Sequence, residues 1–200
     1  MSTNNAIMPL FPLSTVMFPG ARFPLQIFEP RYMDMVTECL RNNSEFCIVQ
    51  LLAGTEVAGQ FGQPPSIEYI GCSVRIVDWD ALPHNRLGIV VEGVRKVDVV
   101  NTYRNDNNLN IGEVEFLPDE PDCELPESYL TLWELLETLS QHETIQKLGI
   151  VFDSRSSINV ANHLATLLPI ENEQKQALLE LNNPLDRLEE LAAIVAKLES

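Results

Sequence analysis

Three histidines, four cysteines and a run of carboxylates are the side chains of this 200-residue chain best suited to catalysis or metal binding. His84 lies near Asp80 and Arg86, which together would supply a base, an orienting carboxylate and a cation if a cleft gathered them. The stretch Leu82-Pro83-His84-Asn85-Arg86 reads instead as a turn. His142, followed by Glu143 near a helix end, suits a solvated cap better than a general base. His163 lies beside the apolar stripe of a helix, where a satisfied interior or boundary histidine is expected. Asp119, Glu120, Asp122 and Glu124 have the oxygens a hard cation prefers. They flank prolines, however, and read as a solvated acidic run. Cys39, Cys47, Cys72 and Cys123 form no C-x-x-C pair, so reduced thiols are expected rather than a zinc site or a disulfide framework. No metal and no cofactor is called for.

Several reaction classes lose their support at the level of motif. There is no G-x-x-x-x-G-K-[ST] loop, so ATP hydrolysis by the P-loop route is excluded. Neither a G-x-S-x-G elbow nor an H-E-x-x-H helix occurs. Net charge is −16, with 13 acids and 8 bases in residues 1–117 and 16 acids and 5 bases in residues 118–200. A chain this acidic repels phosphate backbones and anionic lipid. Arg75 to Asp106 holds five bases matched by five acids, so no electrostatic footprint for nucleic acid is visible. No apolar run approaches the roughly 18 residues needed to span a bilayer. Met1 to Asn5 has no basic flank and no cleavage pattern, so no signal peptide is expected and a cytoplasmic location is.

The elements that must position any site divide into two kinds. Through residue 117 the pattern is that of strands. Phe46–Leu52 is a short apolar run, and Ile67–Trp79 is rich in β-branched and aromatic residues. Leu87–Val91 and Val94–Val100 follow as separate strands, with Gly93 marking a bulge or a close backbone approach. Leu109–Leu117 is the last strand, after a polar turn at Asn105–Asn108, and Gly54 to Pro65 is a loop. One helix interrupts this half at about Pro30–Arg41, with Tyr32, Met35, Val36, Cys39 and Leu40 on its packing side. Residues 118–126, PDEPDCELP, read as an acidic proline-rich linker. Beyond it the apolar period becomes helical. Tyr129, Leu132, Trp133, Leu136 and Leu139 line one face, and Val160, Ala161, Leu164, Leu167 and Leu168 a second. Ala177, Leu178 and Leu181 lie in a third helix. Leu188, Leu191, Val195 and Leu198 lie in a last helix, capped by Asn183 before Pro184. Short connections imply a small antiparallel bundle. The expected organisation is a β-rich subdomain at 7–117, a linker at 118–126 and a helical subdomain at 127–200.

One segment is more distinctive than the rest, LFPLSTVMFPGARFPLQIFEPRY from Leu10 to Tyr32. Pro12, Pro19, Pro24 and Pro30 each lack an N–H and suit a strand edge, a turn or a first helical turn. The segment reads as a bent strand pair around a Pro19-Gly20 turn, running into a helix at Pro30. This segment, with Ile70-Gly71-Cys72, Arg75-Ile76, Val91-Glu92-Gly93-Val94-Arg95 and Leu167-Leu168-Pro169-Ile170 to Leu188, resembles the N-terminal substrate-binding domain of ATP-dependent Lon proteases. The resemblance runs from about Ile7 to Leu198. It implies an α+β fold: a PUA-like β pseudobarrel with one helix, followed by a C-terminal helical bundle.

The resemblance also implies a non-catalytic role in which polypeptide clients or a partner protein are bound, in the setting of protein quality control or proteolysis. The sequence stops where the long connecting helix of full-length Lon would continue, so it is similar to free-standing LON-domain proteins of bacteria, without ATPase and protease domains. Lon carries its serine–lysine dyad in a separate C-terminal domain. Lys96, Lys147, Lys175 and Lys197 lie here in polar or amphipathic settings that do not favour a lowered pKa. Partners expected are unfolded or tagged protein segments, or a partner protein such as a Lon protease, with no nucleic acid and no membrane. Phe18, Phe23, Phe28, Glu29, Arg31 and Tyr32 are the candidate binding residues, where edge strands would present apolar side chains to an extended peptide. Leu13, Val16, Leu25 and Ile27 are assigned to the core, while Phe18, Phe23 and Tyr32 are expected to be partly exposed. Glu29 and Arg31 would either touch a ligand or hold the strand–helix corner. Two other classes are RNA binding, since PUA-like folds elsewhere recognise RNA, and an enzyme built around His84. Acidity and the missing aromatic–basic interleaving weigh against RNA.

Overall fold

A computed structural model describes residues 5–53, 65–153 and 155–198. The Gly54–Pro65 loop expected from sequence falls almost wholly outside the described residues, as do Met1 to Asn4. Two compact units emerge, Met1–Leu117 and Pro118–Ser200. The fold is mixed, with a largely antiparallel sheet and several helices.

The first unit contains β1 (Asn5–Leu13), β2 (Arg22–Ile27), α1 (Pro30–Asn42), β3 (Phe46–Ala53), β4 (Ser66–Ile67), β5 (Ile70–Leu82), β6 (Arg86–Arg104) and β7 (Asn110–Phe116). The strand order is β1-β7-β6-β5-β3-β4, and a parallel β1–β3 pairing closes five of these strands on themselves. The opening segment is therefore not a paired hairpin. β1 lies between β7 and β3, while β2 pairs with β6 alone among the described residues. Pro24 is tolerated in β2 because that strand is paired on one side only.

The two strands expected on either side of Gly93 are one 19-residue strand, β6. Gly93 marks a close approach rather than a break. A Cβ built there would meet the Phe18 carbonyl oxygen at 2.1 Å. The Gly20 N–H donates to the Gly93 carbonyl and the Gly93 N–H to the Ala21 carbonyl, both at 2.9 Å. Those bonds pin the Pro19-Gly20 turn flat against β6.

One core cluster gathers Met8, Leu10, Cys47, Val49, Val97, Val99 and Val114, drawn from alternate positions of the strands. Against another part of the sheet α1 buries Tyr32, Met35, Val36 and Cys39. Leu40, expected on the same side, is exposed, because it lies at the margin of the apolar arc.

The second unit holds a short turn at Glu127–Tyr129, then α2 (Leu130–Ser140), α3 (Glu143–Gln146), α4 (Ser157–Leu167), α5 (Asn172–Glu180) and α6 (Pro184–Leu198). Ser156 accepts from the Asn159 N–H at the start of α4, and Asn183 from the Leu185 N–H at the start of α6. Glu171 and Gln174 form a capping box on α5. Ala177, placed on an apolar face from sequence, is exposed, and Gln176, Leu178 and Leu179 are buried instead. Among the described residues no helix is long and apolar enough to cross a membrane.

Residues 118–126, read from sequence as a linker, take part in the second unit. The Leu125 N–H donates to the Arg155 carbonyl, and the Ser157 N–H to that of Cys123. Asp122 accepts from the Ile158 N–H at the start of α4, where a carboxylate is favoured. Glu120 is gripped by Arg187 of α6. The Arg187 Nη1 and Nη2 atoms donate to the two Glu120 oxygens at 2.8 and 2.7 Å. The same guanidinium also donates to the Leu178 and Leu181 carbonyls and to Asn162. The expected solvated acidic run is thus corrected at Glu120. Arg187 is fully buried and needs a carboxylate beside it.

Candidate functional site: the strand–helix corner

The junction of β2 with α1 brings together four of the six candidate residues, and it separates their roles. Phe28 follows the last residue of β2 and is 56% exposed. Its neighbour Ile27 points the other way and is buried. Glu29 is the residue before the first turn of α1, and Pro30 begins the helix. Arg31 donates from Nε to the Glu29 carboxylate at 3.0 Å and from Nη1 to the Asn108 carbonyl at 3.0 Å. Its guanidinium also lies over the Tyr32 ring, 4.4 Å from the centroid. Glu29 and Arg31 therefore hold the corner. The acidic partner that Arg31 needs at a helix N-terminus is its own neighbour but one.

Tyr32 was expected to be partly exposed and is buried, its ring 4.2 Å from that of Phe11. Phe18 was expected to be partly exposed and is fully buried. The physical reason is the turn clamp on Gly93, which draws the Phe18 backbone onto β6 and its side chain inward. Phe23, opposite Val91 in the sheet, is half-buried. Leu13, Val16 and Ile27 are in the core as expected, but Leu25 is only half-buried. It forms part of an apolar cavity of about 150 Å³, lined also by Phe11, Leu13, Ile27, Phe28 and Tyr32. The polar residues of its lining are Gln26 and Glu29. The corner thus offers an apolar recess, one exposed aromatic ring and a strand with a single pairing partner among the described residues. This is equipment for holding an apolar side chain.

The catalytic alternatives do not assemble. Arg86, near His84, donates to the Pro83 carbonyl at 3.1 Å and to Gln26 at 3.4 Å. His84 itself is exposed in a turn. His142 caps α3, accepting weakly from the Thr144 N–H. His163 is buried, with Nδ1 2.8 Å from the Asn159 carbonyl oxygen and the Phe152 ring edge-on at 5.0 Å.

Two lysines depart from expectation. Lys96 is buried. Burial lowers the Lys175 pKa, yet its ammonium donates to the Thr166 carbonyl in the last turn of α4, a helix-end role. Cys39, Cys47 and Cys72 are buried and Cys123 is exposed. Burial raises the Cys47 thiol and pushes Cys72 up to about 12, so neither is a ready nucleophile. Among the described residues no group of histidine, cysteine and carboxylate side chains is placed to hold a metal.

Comparison with known proteins converges on one family. The model of the ATP-dependent protease La (LON) substrate-binding domain matches residues 7–197. A Lon protease of Bacillus thuringiensis is 25% identical over 98% of the chain, which spans 25% of that protein. A LON peptidase N-terminal domain and RING finger protein of Schizosaccharomyces pombe is 26% identical over 90% of the chain and 43% of its own length. The chain thus spans between a quarter and somewhat under half of the length of these curated relatives. The crystal structure of a Lon N-terminal domain protein from Xanthomonas campestris superposes with a TM-score of 0.73 at 32% identity, covering 94% of this chain and 98% of that one. The N-terminal domain of Mycobacterium avium complex Lon protease gives 0.61 at 18% identity, a likeness of fold. The match is to the substrate-binding domain and not to a catalytic one. With the family model covering nearly every residue and the fold shared end to end, the chain belongs to the LON substrate-binding domain family.

Proposed function

We propose that this chain is a non-catalytic polypeptide-binding domain that engages protein clients or a partner protein in the setting of proteolysis, with the β2–α1 corner as its contact surface. The observation that carries the reading is Phe28, an exposed aromatic ring at the mouth of an apolar recess, in a chain of the substrate-binding family. Large aromatic side chains in or beside apolar pockets dominate protein recognition. Among the described residues β2 is paired on one side only, so an extended client has a backbone edge to meet as well. Of the six residues named from sequence, Phe28 would make the contact and Phe23 would flank it. Glu29, Arg31, Tyr32 and Phe18 would keep the corner in shape.

Part of the same reading is that the closed strands form a PUA-like pseudobarrel and the second unit the family's helical bundle. Net charge of −16 favours protein clients over RNA and anionic membrane, and the reading places the chain in the cytoplasm. A Lon protease is one partner that fits.

The test is binding of a fluorescently labelled unfolded protein, such as a permanently reduced and alkylated one, by anisotropy. Phe28→Ser should weaken binding about tenfold, as expected for an interface aromatic worth roughly 1–2 kcal/mol. Its melting temperature should stay unchanged, because the ring is exposed. Equal affinity of wild type and variant would remove the corner from consideration.

A further inference from the structure

The helical unit carries a groove of its own, about 480 Å³, between α2 and α6. Both of these helices pack against α4. Thr131, Glu134, Leu135 and Thr138 of α2 form one wall, and Ala192, Val195 and Ala196 of α6 the other. Each set follows the i, i+3, i+4 spacing of a single helix face. Thr131 to Thr138 spans two turns of α2, roughly 10 Å at about 1.5 Å per residue. The Thr138 hydroxyl donates to the Glu134 carbonyl one turn back at 2.9 Å, so its polarity is used within the helix. Leu135, Ala192 and Val195 are half-buried and Ala196 is exposed.

Two properties of this groove say what fits it. The first is that both walls are helices. Backbone N–H and C=O groups along a helix are already paired, so the walls offer an incoming chain no main-chain partner. An extended segment would lose water from its own backbone here and gain no bond in return. A helix arrives with its backbone satisfied, and its side-chain ridges pack between such walls. The second property is charge. On α2, Glu134 is exposed and Glu137, also exposed, follows one turn on. On α6, the exposed Glu189 stands one turn before Ala192. None of these three has an ion pair among the described residues. α2 has no base, and α6 has only the buried Arg187 and Lys197 in its last turn.

From this we infer that the α2–α6 groove receives an amphipathic helix of a partner protein, apolar on the face that enters and basic along its flanks. Residues 118–200 hold 16 acids and 5 bases, so a second copy of this unit would bring acid against acid. The groove is a second contact surface, in the unit that does not contain the β2–α1 corner, and it stands without that reading.

The experiment uses the full chain and labelled peptides about 18 residues long, roughly five helical turns. In the first, leucines recur at i, i+3, i+4 and i+7 with lysines beside them. In the second the same residues are rearranged so that the leucines share no helix face. In the third glutamate replaces every lysine. By anisotropy the first should bind about tenfold more tightly than the second. It should exceed the third about 3- to 10-fold at low salt. Thr138→Arg and Ala196→Arg, which put a cation into the groove from either wall, should each weaken the first peptide about tenfold. Gln146→Arg, which adds the same charge on the exposed side of α3, should not. Glu134→Gln/Glu137→Gln should reduce the preference for lysine over glutamate, and Glu113→Gln/Glu115→Gln in β7 should leave it intact. All of these positions are exposed, so melting temperatures should match wild type.

The inference is overturned if the first peptide fails to bind, if it binds no better than the rearranged one, or if binding survives both groove variants. Equal loss in Gln146→Arg also overturns it, since net charge would then be the cause. A lysine preference untouched by Glu134→Gln/Glu137→Gln overturns the basic partner. A dimer of the chain that Ala196→Arg dissociates would make a second copy the occupant and overturn it too. Binding lost in Phe28→Ser but kept in both groove variants would place the peptide at the corner, so that the groove falls and the corner stands. Binding lost in the groove variants and kept in Phe28→Ser supports the groove.

Discussion

Glu92 in the strand unit and Glu120 in the helical unit are both held by arginine, yet the two arrangements do different work. Glu92 takes Arg22 and Arg75 from the flanking strands, and those arginine side chains are 28% and 61% exposed. Glu120 takes one arginine, Arg187, which is fully buried and also serves two carbonyls and Asn162. The number of charges is larger at Glu92, but the dependence of other groups is larger at Glu120. Water can replace a lost partner at the rim of the sheet. Water reaches the buried Arg187 side chain far less easily, so a lost partner there carries more of its desolvation cost.

The sharpest way to break that contrast is Arg187→Ala. It removes the buried guanidinium that Glu120, Asn162 and the Leu178 and Leu181 carbonyls share, and should cost about 3–5 kcal/mol in urea denaturation. A loss below about 1 kcal/mol would mean that the site hydrates freely, contrary to its burial.

Glu92→Gln should have an intermediate, pH-dependent effect. Burial alone would raise the Glu92 pKa, but the hydrogen bonds and charges of Arg22 and Arg75 outweigh it, and the net shift is downward from 4.5. In acid the unfolded chain then binds the proton more readily than the folded one. The stabilisation is complete above the ordinary value and is lost as pH falls below 4.5 toward the lowered folded value. The variant should be less stable at neutral pH and should lose less stability on acidification than wild type over that window. Parallel acid limbs for the two proteins would show that the cluster contributes no linkage.

Arg75→Ala should be the mildest, at most about 1 kcal/mol at low salt and less at high salt. It removes the more exposed partner while Arg22 remains on Glu92.

Particular residues show how far sequence alone carries. The helix at Pro30 was legible because proline, cap and apolar spacing all agree there. The helix start at Pro184 was legible for a similar local reason, an asparagine cap before a proline. Phe18 and Phe28 were not separable, since both lie in one apolar segment punctuated by prolines. Phe18 is inside because a glycine 75 positions later lets its backbone approach, a tertiary fact with no local signature. Gly93 did carry a signal, but a glycine in a strand does not say whether it ends the strand or admits a neighbour.

Arg187 was missed although it shares the buried stripe of α6 with Pro184, Leu188 and Leu191. A lone arginine on an apolar face is the visible clue, and its partner Glu120 had been read as solvated.

The closed sheet also has a temporal consequence. Its first strand is completed by its last, for Asn5 is paired with Glu115. A chain emerging from the ribosome must keep Ala6, Met8 and Leu10 waiting until β7 has appeared, because short-range contacts cannot bury them. Such distant pairing slows folding and leaves a sticky amino terminus uncovered in the interval.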